Sequence, residues 1–210
     1  MKRALSILAL LAAMGSTAMA SPYYMAQPAG GALTPYDIQP VYSLEGIYSF
    51  ADDGPDTYGA RLNLSLYSDA VSTVRHQFSI SAGYSYGSES GYIDTYGYDL
   101  DITHMPITIG YDLNFELTDH MMIDLGAKVG YAFGKMTLDS YSPVEGIGGT
   151  VTEHIGGFTY ALTAGIKVQF SETIYAKVAY EFGRTFYEGC GDASLNYNQH
   201  SIVVGVGMRF

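Results

Sequence analysis

Tryptophan is absent from the 210-residue sequence, cysteine occurs once, and basic residues are scarce. A single cysteine excludes a disulfide framework and a cysteine-rich zinc site. Ten Lys and Arg residues stand against 21 Asp and Glu residues, which gives a net charge of −11. Phosphate binding needs a basic surface, so nucleic acid is disfavoured as a partner. Charged residues make up only 15% of the chain, against about 25% in soluble globular domains.

Aromatic residues and glycine are abundant instead. The chain contains 20 Tyr, 9 Phe and 25 Gly, and 48% of its residues are hydrophobic. This aromatic content is far too high for a disordered chain. Aromatic residues are enriched in strands, whereas glycine interrupts regular structure. The composition therefore predicts aromatic strands interrupted by glycine rather than helices.

The first twenty residues have the pattern of a cleaved signal peptide. Lys2 and Arg3 precede a short apolar run, and Ala18-Met19-Ala20 matches the small-residue cleavage pattern. The alternative, an N-terminal membrane anchor, needs about twenty apolar residues, roughly twice the length of this run. We expect three parts in the chain. They are a signal peptide at residues 1–20, a linker rich in Pro, Gly and Ala at residues 21–39, and a folded domain at residues 40–210.

Eight segments of the folded domain alternate between apolar and polar side chains. In the second segment, Leu62 and Leu64 share one face while Asn63 and Ser65 share the other. A period of two residues is the pattern of a β-strand, and no helical period competes with it. The eight segments comprise residues 42–50, 58–66, 77–86, 107–114, 123–133, 158–170, 174–182 and 201–210.

A soluble β-sandwich also alternates, so strand length and polarity have to decide the fold. Most segments run for about ten residues, whereas strands of globular proteins average about five or six. Ten residues at a rise of about 3.3 Å, tilted by about 40°, span about 25 Å, the apolar height of an outer-membrane barrel. The polar faces carry mainly Gly, Ser and Thr, which suits a lumen. The sequence therefore predicts an all-β fold, an eight-stranded antiparallel transmembrane β-barrel with up-and-down topology.

The connections predict which end of the barrel faces outward. Short turns are typical of the periplasmic side and longer loops of the external side. The predicted short turns are residues 116–120 and 171–173, and the predicted external loops are residues 87–96, 135–154 and 184–199. A change of phase at His104-Met105-Pro106 further predicts a β-bulge, where a proline is tolerated.

Three stretches resemble the OmpA/OmpX-type family of small, porin-like outer-membrane β-barrels. They read PITIGY at residues 106–111, GAKVGYAF at residues 126–133 and GVGMRF at residues 205–210. The last resembles the terminal assembly signal of such barrels, formed here by one face of the final segment. That face consists of Val204, Val206, Met208 and Phe210. The resemblance covers residues 40–210 and implies an integral protein of a Gram-negative outer membrane.

Charged residues on the polar faces predict a network inside the barrel. The inward residues of this set are Glu45, Arg61, Asp112, Asp124, Lys128, Lys167, Lys177, Glu181 and Arg209. Burying a lone charge costs several kcal/mol of folding free energy, so opposite charges inside a narrow lumen are expected to pair. Two interpretations follow, a salt-bridged plug that holds the barrel rigid and an ion path lined by these residues. The plug is favoured because an eight-stranded lumen is just wide enough for its own side chains.

The predicted external connections are acidic. Their carboxylates include Asp52, Asp53 and Asp56, whereas the basic side chains are Lys135 and Arg184. Three interpretations stay open: a solvated surface that discourages aggregation, a site for divalent cations, and adhesion to a basic partner. The run Asp-Asp-Gly-Pro-Asp at residues 52–56 offers oxygen ligands but lacks the spacing of a defined calcium loop. We therefore expect no metal and no cofactor.

Some small barrels modify lipid A, so an enzyme is the rival class. Such chemistry needs a nucleophile in contact with a histidine, usually with a carboxylate nearby. His200 and Ser201 are neighbours, but neighbours on a strand point to opposite faces. His154 lies in a predicted loop, and His120 in a predicted periplasmic turn. We therefore predict no enzyme and no catalytic residue, and we take Cys190 as a tolerated free thiol.

The sequence thus predicts a non-enzymatic outer-membrane barrel with a role in envelope integrity or surface contact. The alternatives are a small-solute pore and a lipid A-modifying enzyme. The expected partners are outer-membrane lipids, the barrel-insertion machinery during assembly, and an extracellular ligand that the sequence does not specify.

Phe210 is predicted to serve assembly more than the stability of the finished barrel. The final segment alternates without a break to Phe210 and presents an apolar ridge and a free edge before closure. We expect Phe210→Ala to lower outer-membrane levels in cells and to leave precursor in the periplasm. The same variant should refold from urea into detergent micelles, as measured by the mobility shift between heated and unheated gel samples. Wild-type levels in cells would contradict an assembly signal, and failure to refold would make Phe210 structural.

Overall fold

The computed structural model describes residues 38–52, 54–68, 74–93, 96–142, 146–190 and 193–209. They form eight strands. These are β1 (Ile38–Ala51), β2 (Thr57–Ser68), β3 (Val74–Ile93), β4 (Tyr96–Thr118), β5 (Met121–Ser142), β6 (Ile147–Gln169), β7 (Ile174–Cys190) and β8 (Ala193–Arg209). The predicted signal peptide, nearly all of the predicted linker, and Phe210 lie outside the described residues. In the described part of the chain, no helix has the length and hydropathy to cross a membrane.

The strands close into a barrel. Each strand pairs antiparallel with the next, and β1 pairs with β8 from Val41 opposite Arg209 to Ala51 opposite Gln199. In lipid no water satisfies backbone N–H and C=O groups, so a spanning sheet has to close on itself. The predicted eight-stranded antiparallel barrel with up-and-down topology is confirmed.

The alternation sorts side chains between lipid and lumen. Most apolar side chains of the membrane-spanning part point outward and are exposed; Leu62 keeps 65% and Ile109 61% of its surface accessible. The neighbouring polar side chains, such as Asn63 and Thr108, point inward and are buried. Exposed apolar surface of this extent requires a hydrocarbon surrounding, because monomeric soluble proteins rarely expose apolar patches larger than a few hundred Å².

The predicted β-bulge at His104-Met105-Pro106 is wrong. The pairing of β3 with β4 keeps one register from Ala82 opposite Ile107 to Ser85 opposite His104, and β5 pairs without interruption through Pro106. Pro106 fits because it lies against Gly83, where a Cβ atom would come within 3.2 Å of the proline ring. The apolar pattern changes its face here, but the strand itself does not.

The predicted external loops are largely strand. Beyond the level of Thr57, where β2 begins, the middle four strands continue as a sheet that we call the outer sheet extension. It comprises residues 88–93, 96–101, 137–142 and 147–152. Both of its faces are largely exposed. The sequence therefore lacks, in these residues, the apolar–polar alternation that predicts a strand with one buried face. Cross-strand pairs rich in Thr, Val, Leu and Tyr stabilise the outer sheet extension instead.

Tight contacts between strands explain several of the glycines. Gly157 of β6 faces the lumen, and a Cβ atom there would collide with the backbone of Phe186 and Tyr187 in β7. Gly183 of β7 also lies in the barrel wall, but its nearest atoms are the Tyr160 carbonyl oxygen at 3.8 Å and the Ala161 Cβ at 3.9 Å.

We expect Gly157→Ala to destabilise the barrel by about 1–3 kcal/mol, as overpacking does elsewhere. The matched variant Gly183→Ala should keep or slightly raise stability, because its methyl group meets only ordinary contacts. Urea unfolding of both variants in detergent micelles, followed by gel mobility, measures the difference. Equal urea midpoints for the two variants would contradict the close approach of β6 and β7.

Candidate functional site

Eight of the nine predicted network residues form one layer across the lumen. They are Glu45 of β1, Arg61 of β2, Asp112 of β4, Asp124 and Lys128 of β5, Lys167 of β6, and Lys177 and Glu181 of β7. Each is buried, with at most 7% of its surface exposed, because the period of two points it inward. The layer contains four basic and four acidic residues, whose formal charges cancel.

Arg61 is the centre of the first half of this layer. Its Nε atom donates to the Glu45 carboxylate at 2.8 Å, and its two terminal nitrogens bind both oxygens of Glu181 at 2.8 and 2.9 Å. Lys128 contacts the Glu181 carboxylate at 2.8 Å, and the Thr163 hydroxyl donates to the same carboxylate at 3.1 Å. A planar guanidinium suits this role, since it holds one carboxylate with a two-pronged contact and a second one with its remaining donor.

Asp124 is the centre of the second half. Lys167 and Lys177 lie directly opposite each other on β6 and β7, and both contact the Asp124 carboxylate, at 2.7 and 2.5 Å. Lys167 also donates to Gln77 at 2.9 Å and to Asn114 at 2.6 Å. Two like charges placed opposite each other on neighbouring strands repel, so the bridging carboxylate is what stabilises the pair. Lys177 Nζ lies 3.9 Å from Glu45 and thereby joins the two halves.

Asp112 and Arg209 take no part in the ion pairs described above. Asp112 lies in the same layer, but its Oδ1 atom is buried without a hydrogen-bond partner in the described structure. It fills the space left by Gly126, where a Cβ atom would collide with this carboxylate. Arg209 lies at the periplasmic end of the lumen, with its guanidinium 4.3 Å from the centre of the Tyr67 ring.

An aromatic layer closes the lumen on the external side of the charges, and sequence reasoning missed it. Ala132, Ile155, Tyr187 and Tyr197 pack together with at most 3% of each surface exposed. His104 lies edge-on to Tyr187, with ring centres 5.9 Å apart. Tyr187 and Tyr197 lie within the segment predicted as an external loop, so the inward alternation was not continued to them. Extending the period of two past residue 184 would have found them.

Little space is left between these side chains. The cavity within the charged layer has a volume of about 10 Å³ and is lined by residues that include Asp112, Lys128 and Lys167. Such a volume holds about one water molecule. Hydroxyl and amide pairs fill the wall around the layer, as where Ser49 Oγ lies 2.8 Å from Ser201 Oγ. The lumen therefore has two closed layers in series.

His200 lies outside the barrel at its external rim. Its ring stacks on Phe50 at 5.6 Å and packs against Phe182 at 5.3 Å, while Nδ1 bonds to the Tyr180 hydroxyl. Its Nε2 atom is 3.4 Å from the Asp52 carboxylate. Ser201 points into the lumen on the opposite face, so the two side chains do not meet.

The remaining candidates of the outer rim do not gather into a site. Asp56 accepts a hydrogen bond from the Tyr48 hydroxyl at 2.7 Å, and Asp52 faces His200, while Asp53 lies outside the described residues. His120 and His154 are exposed. Among the side chains that the structure describes, no three His, Cys, Asp or Glu residues are grouped to hold a metal ion. The side chain of Cys190 is not among them.

Comparison with known proteins identifies the family. A model of the outer membrane protein beta-barrel domain matches residues 6–210, nearly the whole chain. The chain belongs to this family. It is therefore an outer membrane β-barrel protein, and the predicted resemblance and location are confirmed. No curated protein sequence matches the chain.

Solved structures of small outer-membrane barrels are similar to the chain. Neisserial surface protein A has 12% identity and a TM-score of 0.48, covering 82% of this chain and 97% of its own. The attachment invasion locus protein of Yersinia pestis, in complex with the heparin analogue sucrose octasulfate, has 14% identity and a TM-score of 0.47, covering 84% and 100%. The outer membrane enzyme PagL has 16% identity and a TM-score of 0.44, covering 78% and 97%.

The ion pairs that each residue of the charged layer makes predict how strongly its replacement destabilises the barrel. Lys128→Met removes one of the two cations that bind Glu181, and from the sequence alone we predict a lower unfolding temperature, or a raised conductance where water fills the gap. Because the aromatic layer lies in series with the charges, we now expect the lower unfolding temperature without added conductance. Arg61→Met should destabilise more, by about 3–5 kcal/mol, because it leaves Glu45 and Glu181 without their shared partner. Arg209→Met, outside the layer, serves as the control and should change least. Urea midpoints in micelles measure the order, and equal midpoints for the three variants would contradict the network.

Proposed function

We propose that this outer membrane protein is a closed, non-enzymatic barrel that holds an outer surface for contact with molecules outside the cell. The observation that carries the proposal is the double closure of the lumen, a balanced layer of four acids and four bases beneath a packed aromatic layer. A rigid, blocked barrel suits an anchor, and the outer sheet extension is the part that it presents to the exterior.

The pore alternative is less well supported. An ion path needs charged side chains that line open water, but most of the inward charges bind one another at 2.5–2.8 Å. Opening the charged layer would leave the layer of Tyr187 and Tyr197 in place. Conduction would therefore require both layers to move.

The enzyme alternative has its best candidate in His200. A histidine flanked by a carboxylate and a hydroxyl matches part of an acid–base arrangement. Its hydroxyl partner, however, is the phenol of Tyr180, and the neighbouring Ser201 lies on the other side of the barrel wall. This arrangement supports an interfacial anchor, since amphipathic rings favour the boundary between membrane and water.

The partners that we propose follow from the two surfaces. Outer-membrane lipids cover the outward apolar side chains, among them Leu64, Ile80 and Val178. The barrel-insertion machinery reads β8 during assembly, before β1 and β8 pair. The acidic net charge disfavours nucleic acid.

Planar bilayer recording and lipid A mass spectrometry test the proposal together. We expect purified wild-type protein to give no stepwise conductance, and we expect cells producing it to contain unmodified lipid A. Unit conductance steps that disappear when the protein is omitted would establish a pore. Loss or gain of an acyl chain on lipid A, abolished by His200→Ala, would establish an enzyme.

A further inference from the structure

The outer sheet extension carries an apolar face that lipid does not cover. Its outer face bears polar side chains, among them Ser88, Asp99 and Thr150, so it stands in water above the apolar belt. Its inner face, which continues the lumen wall upward, carries exposed hydrophobic side chains. These are Ile93 (68% exposed), Tyr96 (49%), Leu138 (39%), Ile147 (67%) and Val151 (57%). Contiguous apolar surface in water marks a binding site more often than chance.

This inner face is a groove and not a flat sheet. A cavity of about 420 Å³ lies on it, lined by Ile93, Tyr98, Leu100, Met136 and Leu138 among others. Leu100, Leu138 and Val151 form one row across three strands, because the register places each directly opposite the next. The row offers an apolar stripe that crosses the strands.

Carboxylates mark both edges of the stripe. Glu89 of β3 stands opposite Leu100 at one edge. At the other edge, one position below the extension, Glu153 of β6 stands opposite Met136. Three strand spacings of about 4.8 Å and an offset of two residues place them about 16 Å apart. The described residues of the extension contain no Lys or Arg, and Asp99, Asp101 and Asp139 on the outer face add to the negative potential.

We propose that the inner face of the outer sheet extension binds a basic, apolar segment of an extracellular polypeptide. This inference rests on the surface-contact role proposed above and names its partner class. An extended segment advances about 3.3 Å per residue, so basic side chains four residues apart reach towards both carboxylates while an apolar side chain between them enters the groove. Tyr96 and Tyr98 line the same cavity, and aromatic rings attract cations.

Charge decides between this partner and the other occupants of an apolar groove. Anionic polysaccharide and lipid phosphate are repelled by the five carboxylates. Lys135, just below the extension, acts on Asp101 of the outer face, whereas Glu89 and Glu153 lie on the inner face. A second copy of the chain would bring the same charges face to face, so self-association is disfavoured as well.

The experiment uses the full barrel in nanodiscs of zwitterionic lipid, which do not attract basic peptides. The probe is a fluorescein-labelled peptide KSLSKSLSK, which places Lys and Leu on one face when extended. The peptides KSSSKSSSK and ESLSESLSE control for the apolar and the basic side chains. Fluorescence anisotropy should show saturable binding of the first peptide and at least tenfold weaker binding of the other two.

Two double variants carry equal changes of charge on opposite faces of the extension. Glu89→Gln with Glu153→Gln should weaken binding about tenfold, which corresponds to about 1.4 kcal/mol. Asp99→Asn with Asp139→Asn should change it less than twofold. Leu138→Ser with Val151→Ser should abolish saturable binding while the heat-dependent gel shift of the barrel is retained.

Three outcomes would overturn the inference. One is absence of saturable binding to the wild-type protein, and another is an equal effect of the two charge variants, which would show unspecific attraction. The third is a wild-type dimer, measured by sedimentation, that Leu138→Ser with Val151→Ser dissociates, which would assign the groove to a second copy. Conductance or lipid A modification by the same preparation would contradict the proposed function and leave the peptide result to be judged separately.

Discussion

The backbone hydrogen bonds between β1 and β8 are the contact on which the rest of this barrel depends. They remove the last sheet edge, whose backbone N–H and C=O groups would otherwise face lipid without a partner. Closure with eight strands also fixes a lumen barely wider than its own side chains. The inward residues must then be satisfied by one another, because neither lipid nor bulk water reaches them.

The charged layer shows how this constraint is met. Placing four cations and four anions in a narrow, buried space is costly, and each contact offsets only part of the loss of water. Replacing one member leaves its partners buried and unpaired. The free energy lost on such a replacement is therefore larger than the net stabilisation that the intact layer gives the fold. We infer that the network specifies one register and one closed state. The aromatic layer above it, centred on Tyr187, repeats the closure by packing alone.

The sequence predicted the strands, the closure and the inward positions of the charges, because lipid on one side and a lumen on the other impose a strict period of two. It did not predict which acid would meet which base. Arg61 lies opposite Glu45 on the neighbouring strand, but it reaches Glu181 across the lumen, and only the curvature of the barrel sets that distance. The hairpins beyond the membrane were also missed, since exposure of both faces removes the alternation of burial on which the prediction rests.

The change of phase near Pro106 has its cause in the surroundings of the strand. Within the membrane, Ile107 and Ile109 of β4 point outward to lipid and Thr108 points inward. Above it, Leu100 and Ile102 point inward, and Asp99 and Asp101 point outward to water, in the same unbroken register. The preferred face for apolar side chains reverses where lipid gives way to water, because water now lies outside and the mouth of the barrel inside. A shift in the apolar pattern of a long barrel strand can therefore have two causes, a β-bulge or the edge of the membrane. Unbroken cross-strand pairing shows that the cause is the edge of the membrane.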